Sequence, residues 1–415
     1  MTPAPTAAGI IWRSPFLRAA FLALFLSGLG VSSTTPQMTL FLVNELGSSV
    51  PVAGLYYLTN FAAPLAGYWL GNLSDRQDNR LVLYRICAVL GGIGWLAMAL
   101  ATQIWMPFVV AAVVLSISGG SMGLLFAAVR DELSRTGSPA SDRVISAVRM
   151  AFTAGWIVGP VVGSWFGAVY GLRPLLLVTA VLTAGQILPL GFQRVSRYVS
   201  PPRTATKPAG ESRRVTDNAR AAGGAPSKAP LFVFVACCVL VMNGDTIKFA
   251  FLPLYMANDL GLSDTLRGAV IAIQPLLELA LMPFFALLAD RITPIRVVAI
   301  GAAFGVAANI VYATSEHVLG LFVGQILMSC LWAAIAGLGV TVAQQLYPYG
   351  VGLASSVFMS SIMLSGGLGG AIGGLGTALF GVPHVFYVPA VLGVVGTVGL
   401  VIIGRRYRPA DAAFS

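Results

Sequence analysis

The chain has 415 residues, 57% of them hydrophobic and 10% charged, with 47 glycines, a formal charge of +10 and a mean hydropathy of +0.84. Soluble domains carry roughly 25% charged residues, so this composition leaves too little polar surface for a water-soluble globule. A chain solvated by lipid needs little of it, and the sequence reads as an integral membrane protein.

Apolar stretches of roughly 20 residues, enough to cross a hydrocarbon layer of about 30 Å, recur near 17–43, 50–71, 81–102, 106–130, 143–169 and 174–193. After a polar interval they resume near 230–257, 266–289, 295–314, 318–345, 352–379 and 384–404. Each is expected to be a helix, which satisfies its own backbone hydrogen bonds in lipid; none alternates as a barrel strand does. The expectation is an all-α membrane protein of twelve transmembrane helices in two six-helix, pseudo-symmetric halves. The N-terminal half covers 1–193, a linker 194–229 and the C-terminal half 230–415.

The linker is rich in Pro, Gly, Ser, Arg and Lys and reads as a flexible connection. With no aromatic interleaved beyond Tyr198, nucleic acid is not expected as a partner. Along the expected helices, 21 of the 25 Lys and Arg fall on one side. Basic loops favour the cytoplasm, which places both termini and the linker there; a multi-pass protein of the cell (inner) membrane is expected, as a monomer. No cleavable signal is expected, since the start lacks a small-residue cleavage site and the first apolar run is long enough to stay as a helix. Cys87, Cys237, Cys238 and Cys330 fall inside helices without metal-ligand spacing, so no metal, cofactor or disulfide is expected.

An internal repeat is legible. LFLVNELGSSVPVAGLYY at 40–57 aligns without gaps to LYMANDLGLSDTLRGAVI at 254–271, GNLSDR at 71–76 meets ALLADR at 286–291, and GPVVGSWFGAVYG at 159–171 lies over GGAIGGLGTALFG at 369–381. Three matches in one order at nearly one offset argue for duplication. Six helices return the chain to its starting side, so the repeats are parallel. Two such halves joined by a basic linker resemble the major facilitator superfamily of secondary transporters, which implies a substrate site near mid-membrane between the halves.

Glycines recur at four-residue spacing in the fifth helix (Gly155, Gly159, Gly163, Gly167, Gly171) and the eleventh (Gly366, Gly370, Gly374). Such spacing permits backbone contact between helices, and tight packing alone accounts for it. With Pro160, GWIVGPVVG at 155–163 also resembles the G-x-x-x-G-P-x-x-G motif of exporters in this superfamily, which implies a kinked gating helix. GNLSDRQDNR at 71–80 resembles the superfamily's loop signature, with Asp75 and Arg76 set to stabilise one conformational state against partners such as Arg130, Asp131 and Glu132; a solvated turn is the plainer reading. GGSMG at 119–123 fits a hydrolase G-x-S-x-G, but Ser121 falls within a helix, and His317 and His384 fall on outer loops, so an enzyme is not expected. There is no phosphate-binding G-x-x-x-x-G-K-[ST], and ATP is not expected to drive the protein.

Ionisable groups within membrane helices are costly and by default functional. Glu278 lies twelve residues before Asp290, about 18 Å along a helix, where a carboxyl can bind and release a proton or accept hydrogen bonds from hydroxyls. Asp245 and Lys248 share one helix face and read as an internally neutralised pair, with Asp245 the second proton candidate. Arg149 either snorkels to the interface or modulates Glu278.

The polar groups able to line a cavity are uncharged: Gln37, Tyr56, Asn60, Trp156, Asn243, Gln274, Asn309, Gln325, Trp332 and Gln344. Amides donate and accept while ring faces cover sugar C–H surfaces, although each amide can equally bridge helices. GLYYLTN at 54–60, FAAVRDE at 126–132, VRMAFTAGWIVGP at 148–160, LLELALMP at 276–283 and the QILM…GLGVTVAQQLYP run at 325–348 resemble the sugar efflux transporter family. That resemblance implies proton-coupled export of small sugars or glycosides by alternating access, with Asn60, Arg149, Glu278, Gln325 and Gln344 matching the family's pattern and Asp245 and Lys248 departing from it. The alternatives are a multidrug/proton antiporter of the same fold and, from another class, a non-transporting membrane sensor or scaffold.

Overall fold

The computed structural model describes residues 7–74, 76–136, 141–195 and 227–406. Most of the linker, and Asp75 of the loop signature, lie outside the described residues. After a short helix, Ala7–Arg13, the chain forms α1 (Pro15–Glu45), α2 (50–74), α3 (Arg80–Ala99), α4 (Trp105–Thr136), α5 (Ser141–Tyr170) and α6 (Leu172–Leu190). The second half supplies α7 (Ala229–Asn258), α8 (Asp264–Arg291), α9 (Pro294–Thr314), α10 (Val318–Leu346), α11 (Val351–Phe380) and α12 (Tyr387–Arg406). Eleven helices among the described residues are long and apolar enough to cross a membrane.

The twelfth crossing, α2, differs from the uniform helix expected over 50–71. It runs as α-helix over Val50–Leu55, 3₁₀-helix over Tyr56–Phe61 and α-helix again over Ala62–Ser74. Pro64 has no N–H to give to the Asn60 carbonyl, so the regular ladder is interrupted there. Tyr56, Tyr57, Thr59 and Asn60 also make this stretch locally polar.

The duplication is physical as well as textual. Gly47 (φ 67°) and Gly261 (φ 59°) end α1 and α7 at aligned positions, and Gly171 (φ 94°) and Gly381 (φ 69°) end α5 and α11. The turns carry matching bonds: Ser48 N–H donates to the Leu42 carbonyl, and Leu262 N–H to that of Met256, both at 2.9 Å. Packing repeats too, with α1 on α5 as α7 is on α11, and α3 on α6 as α9 is on α12. Across the halves α2 meets α11 and α8 meets α5.

Glycines decide those contacts. A Cβ on Gly159 or Gly163 would strike Ser32 and Ser33 of α1, and one on Gly155 would come within 2.5 Å of the Leu29 nitrogen. The aligned Gly369 and Gly373 face α7, at Asn243, Thr246, Ile247 and Phe251. Gly54 of α2 would meet Gly374 at 2.8 Å, while the aligned Gly268 of α8 would meet Val161 at 2.8 Å and the Pro160 carbonyl at 2.9 Å. The spaced glycines of α5 therefore hold it to α1 within its own half, and Pro160, Val161 and Ser164 carry the contact to the other half.

The helix ends marked by Arg13, Arg80, Arg135, Arg291, Arg296 and Arg405 share one side of the bundle, the basic end. At the opposite end Met38, Phe41, Tyr56, Tyr57 and Met98 join a single buried core with Phe251, Tyr255 and Val270 of the second half. Near the basic end the first half keeps a core of its own, including Leu17, Leu24, Tyr84, Leu125 and Val148. The halves are joined at one end and separate at the other. Arg85 fastens the chain leaving α6 to α3, donating to the carbonyls of Gly191 and Gln193 at 2.7 Å each.

Gly163→Val inserts a branched side chain against the α1 backbone, where overpacking costs about 1–3 kcal/mol or more. Thermal unfolding in detergent should show a clear loss of stability, whereas Gly185→Ala, with nothing within 4 Å of the added Cβ, should leave it unchanged.

Candidate functional site

A cavity of about 490 Å³ lies between the halves. The first half contributes Asn60 from α2, Ser118 and Ser121 from α4, and Phe152 and Trp156 from α5; the second contributes Asp245 and Phe249 from α7, Trp332 from α10 and Met363 from α11. The 3₁₀ stretch of α2 places Asn60 there, beside Gly366, whose missing side chain leaves room for the amide: a Cβ would stand 3.2 Å from Asn60 Nδ2. Trp156 packs edge-on against Phe249 of the other half, ring centroids 5.9 Å apart. The indole N–H groups of Trp156 and Trp332 are buried and have no hydrogen-bond partner among the described residues. An amide and aromatic faces thus line the space, with two unsatisfied donors buried beside it, a set suited to hydroxyl-bearing ligands with apolar C–H surfaces.

The cavity adjoins a second space on the side of the basic end. A wider cleft of about 850 Å³ lies between α2, α4 and α11, and shares Gly119 and Met363 with the inner cavity. Its far wall carries Ser74, Arg80, Arg130 and Asp131. Arg80 Nε pairs with Asp131 Oδ2 at 2.5 Å, and its Nη1 donates to Ser74 Oγ at 2.9 Å. Of the expected gating charges, Arg76 and Arg130 are exposed, and Glu132 pairs with Arg135 at 2.6 Å. Arg80 is the loop-signature residue found holding the acid of α4, a role the sequence reading did not assign to it.

Beside the cavity lies a cluster of charges. Lys248 is fully buried; its Nζ donates to Asp245 Oδ1 at 2.6 Å and to Gln274 Oε1, and sits 3.9 Å from the Phe249 ring centroid. Burying a charge in this way is tolerated only with close partners. Among the described residues Glu278 has no hydrogen bond or ion pair, but it stands within electrostatic reach of Asp245, Lys248 and Arg149. Arg149, Asp245, Lys248 and Glu278 therefore form one electrostatic unit across α5, α7 and α8. The structure joins the expected pair to Gln274 and makes Lys248 its hub; the signal was a lysine in the middle of an apolar span. Arg149 itself is exposed.

The remaining expected residues are dispersed. Gln37 donates from Nε2 to Ser164 Oγ at 2.8 Å, bridging α1 and α5, and Gln344 donates to Ser355 Oγ at 2.9 Å, bridging α10 and α11. Tyr56 packs edge-on against Tyr57 and Phe108. Asn243 donates to the Leu240 carbonyl, and Gln325 is fully buried with both amide atoms unpartnered. None of these five, nor Gln274, is on the cavity wall. Ser121 of the rejected hydrolase pattern is on it, as a small residue in a helix.

The Major Facilitator Superfamily profile matches residues 20–247 and 233–414. Among similar proteins is a "putative sugar efflux transporter" of Deinococcus radiodurans, 25% identical over 374 residues, which cover 89% of this chain and 93% of that protein. A multidrug resistance protein, MdtG of Escherichia coli, is 28% identical over 191 residues, 43% of this chain and 44% of that one. Among solved structures, a mutant of the nucleoside transporter NupG superposes with a TM-score of 0.75 at 18% identity, over 94% of this chain and 100% of that one. With the profile matched across both halves, the chain belongs to the major facilitator superfamily of membrane transporters, as a relative of its sugar efflux transporters.

Proposed function

We propose that this protein exports small sugars or glycosides in exchange for protons, by alternating access, with 1–193 and 230–415 as the moving halves and 194–229 as the connecting linker. The reading takes the basic end, with both termini, as cytoplasmic, and the working unit as a monomer in the inner membrane. The observation that carries it is the cavity between the halves: its volume falls in the range of about 300–1,000 Å³ usual for small-molecule sites, and it is lined by Asn60 and by the rings of Trp156 and Trp332, whose buried N–H groups are unpartnered among the described residues. Substrate enters through the cleft at the basic end while the glycine contacts of α2 with α11 and of α5 with α8 keep the other end shut.

Glu278 is the proton carrier in this scheme. Asp245 is held by Lys248, whereas Glu278 has no fixed partner and feels three charges on two other helices, so a proton gained or lost there changes the field across α5, α7 and α8 together. Arg149 balances the ionised carboxylate. A substrate that draws on Asp245 loosens its hold on Lys248 and couples binding to that field. Asp75, Arg76 and Arg130 belong to the gate at the basic end, and Gly155, Gly159, Pro160 and Gly163 set the rigid α1–α5 unit that turns against α8. Met122, Met242 and Met363 on the cavity wall favour a second reading, export of apolar drugs, because flexible thioethers adapt to varied surfaces.

Proteoliposomes loaded with labelled glucosides, lactose or a cationic dye discriminate the two: sugar flux that rises with a pH gradient is expected, and dye flux without sugar flux would remove the sugar reading. Trp156→Phe and Trp332→Phe keep the rings and delete one donor each, so KM for sugar should rise about three- to ten-fold; an unchanged KM in both places the sugar elsewhere. Glu278→Gln should keep sugar counterflow but lose pH-driven accumulation, and Arg149→Lys should keep the fold and slow transport. Intact coupling in the glutamine variant would take Glu278 out of the mechanism.

A further inference from the structure

A second cavity, of about 390 Å³, opens on the outside of the bundle at the basic end. Its walls include Trp12 of the short first helix, Arg18 and Phe21 of α1, Met150 and Ala154 of α5, and Leu279 of α8. Apart from Arg18 the lining is apolar, with no acidic side chain in it among the described residues. Trp12 and Met150 are 64% and 51% exposed, so the crevice is apolar yet uncovered, on a surface that faces lipid.

Its dimensions match one leaflet. Leu279 is twelve residues from Arg291 at the end of α8, and Ala154 thirteen from Ser141 at the start of α5. At 1.5 Å per residue the crevice reaches about 18–20 Å from the basic end, slightly more than half of a hydrocarbon layer of about 30 Å. An apolar slot of that depth takes an acyl chain, and its mouth determines the headgroup. Arg18 lines the mouth and Arg13 is exposed nearby; neither has an ion-pair partner among the described residues. Unpaired guanidinium groups at headgroup depth attract phosphate.

We infer that this crevice is a binding site for an anionic phospholipid of the leaflet at the basic end, its phosphate at Arg18 and one acyl chain running between α1 and α5 to Leu279. Both halves form the walls, since α1 and α5 belong to the first and Leu279 to the second. A lipid seated there therefore weights the present arrangement of α5 against α8 over one in which they part. Leu279 adjoins Glu278, so the acyl chain ends one residue from a member of the buried charge cluster. The inference concerns the outer surface and is independent of which substrate the inner cavity carries.

The test is the thermal stability of the purified full-length protein in neutral detergent, titrated separately with phosphatidylglycerol, phosphatidylcholine and glycerol phosphate. Phosphatidylglycerol should stabilise at lower concentration than phosphatidylcholine, and glycerol phosphate should not stabilise. Arg18→Gln should weaken the phosphatidylglycerol response about five-fold, equivalent to about 1 kcal/mol for one basic group at an anionic surface, and leave the phosphatidylcholine response unchanged. Met150→Trp, which fills the crevice from an exposed position, should weaken both lipids. Equal responses to the two lipids, an equal response to glycerol phosphate, or phosphatidylglycerol titrations unaltered in both variants would overturn the inference.

Discussion

Two helices reach backbone contact only where neither places a Cβ between them, and that constraint sets the geometry of this protein. In lipid the hydrophobic effect does not drive one helix onto another, so close packing and polar contacts must hold the bundle. Here glycines supply the closeness twice over. Gly159 and Gly163 lock α5 onto α1, as Gly369 and Gly373 lock α11 onto α7; Gly54 brings α2 of the first half onto α11, and Gly268 brings α8 of the second half onto α5. The first set makes each half rigid. The second makes a joint that carries few side chains and can be remade.

That division explains why the cavity lies where it does. The halves share one core at the end where Gly54 and Gly268 sit, and separate cores toward the basic end, so the space between them opens in one direction. Asn60 stands six residues, nearly two turns, along α2 from the Gly54–Gly374 contact, on the 3₁₀ stretch that precedes Pro64. Asn60 on the cavity wall and Gly54 at the joined end therefore lie on the same helix, so a movement of α2 against α11 would reach both.

The charged residues obey a different rule. Lys248 is buried and survives there because Asp245 and Gln274 surround its amine. Phe249 links this cluster to the cavity, touching Lys248 on one side and Trp156 on the other. Aromatic and polar contacts run from the space between the halves to Lys248, Asp245 and Gln274, and Glu278 stands within electrostatic reach of that cluster.

The sequence by itself determined the twelve crossings, the duplication and the family, because hydropathy, glycine spacing and repeat offset are properties of the linear order and the bilayer enforces them without reference to partners. Asn60, Trp156 and Trp332 were named from the sequence as able to line a cavity and lie on its wall, whereas Asp245, read as a proton candidate paired with Lys248, lies on that wall as well. Tertiary structure alone decided that Gln37 and Gln344 bridge helices, that Arg80 holds Asp131, and that Lys248 is the hub of the charges. A polar side chain in a span must find a partner, and periodicity tells which face it occupies but not which helix lies opposite. The same holds for the glycines of α5: their spacing announces a close contact, and only the assembled bundle shows that the contact is with α1, inside the half, and that Pro160 and Ser164 face the other.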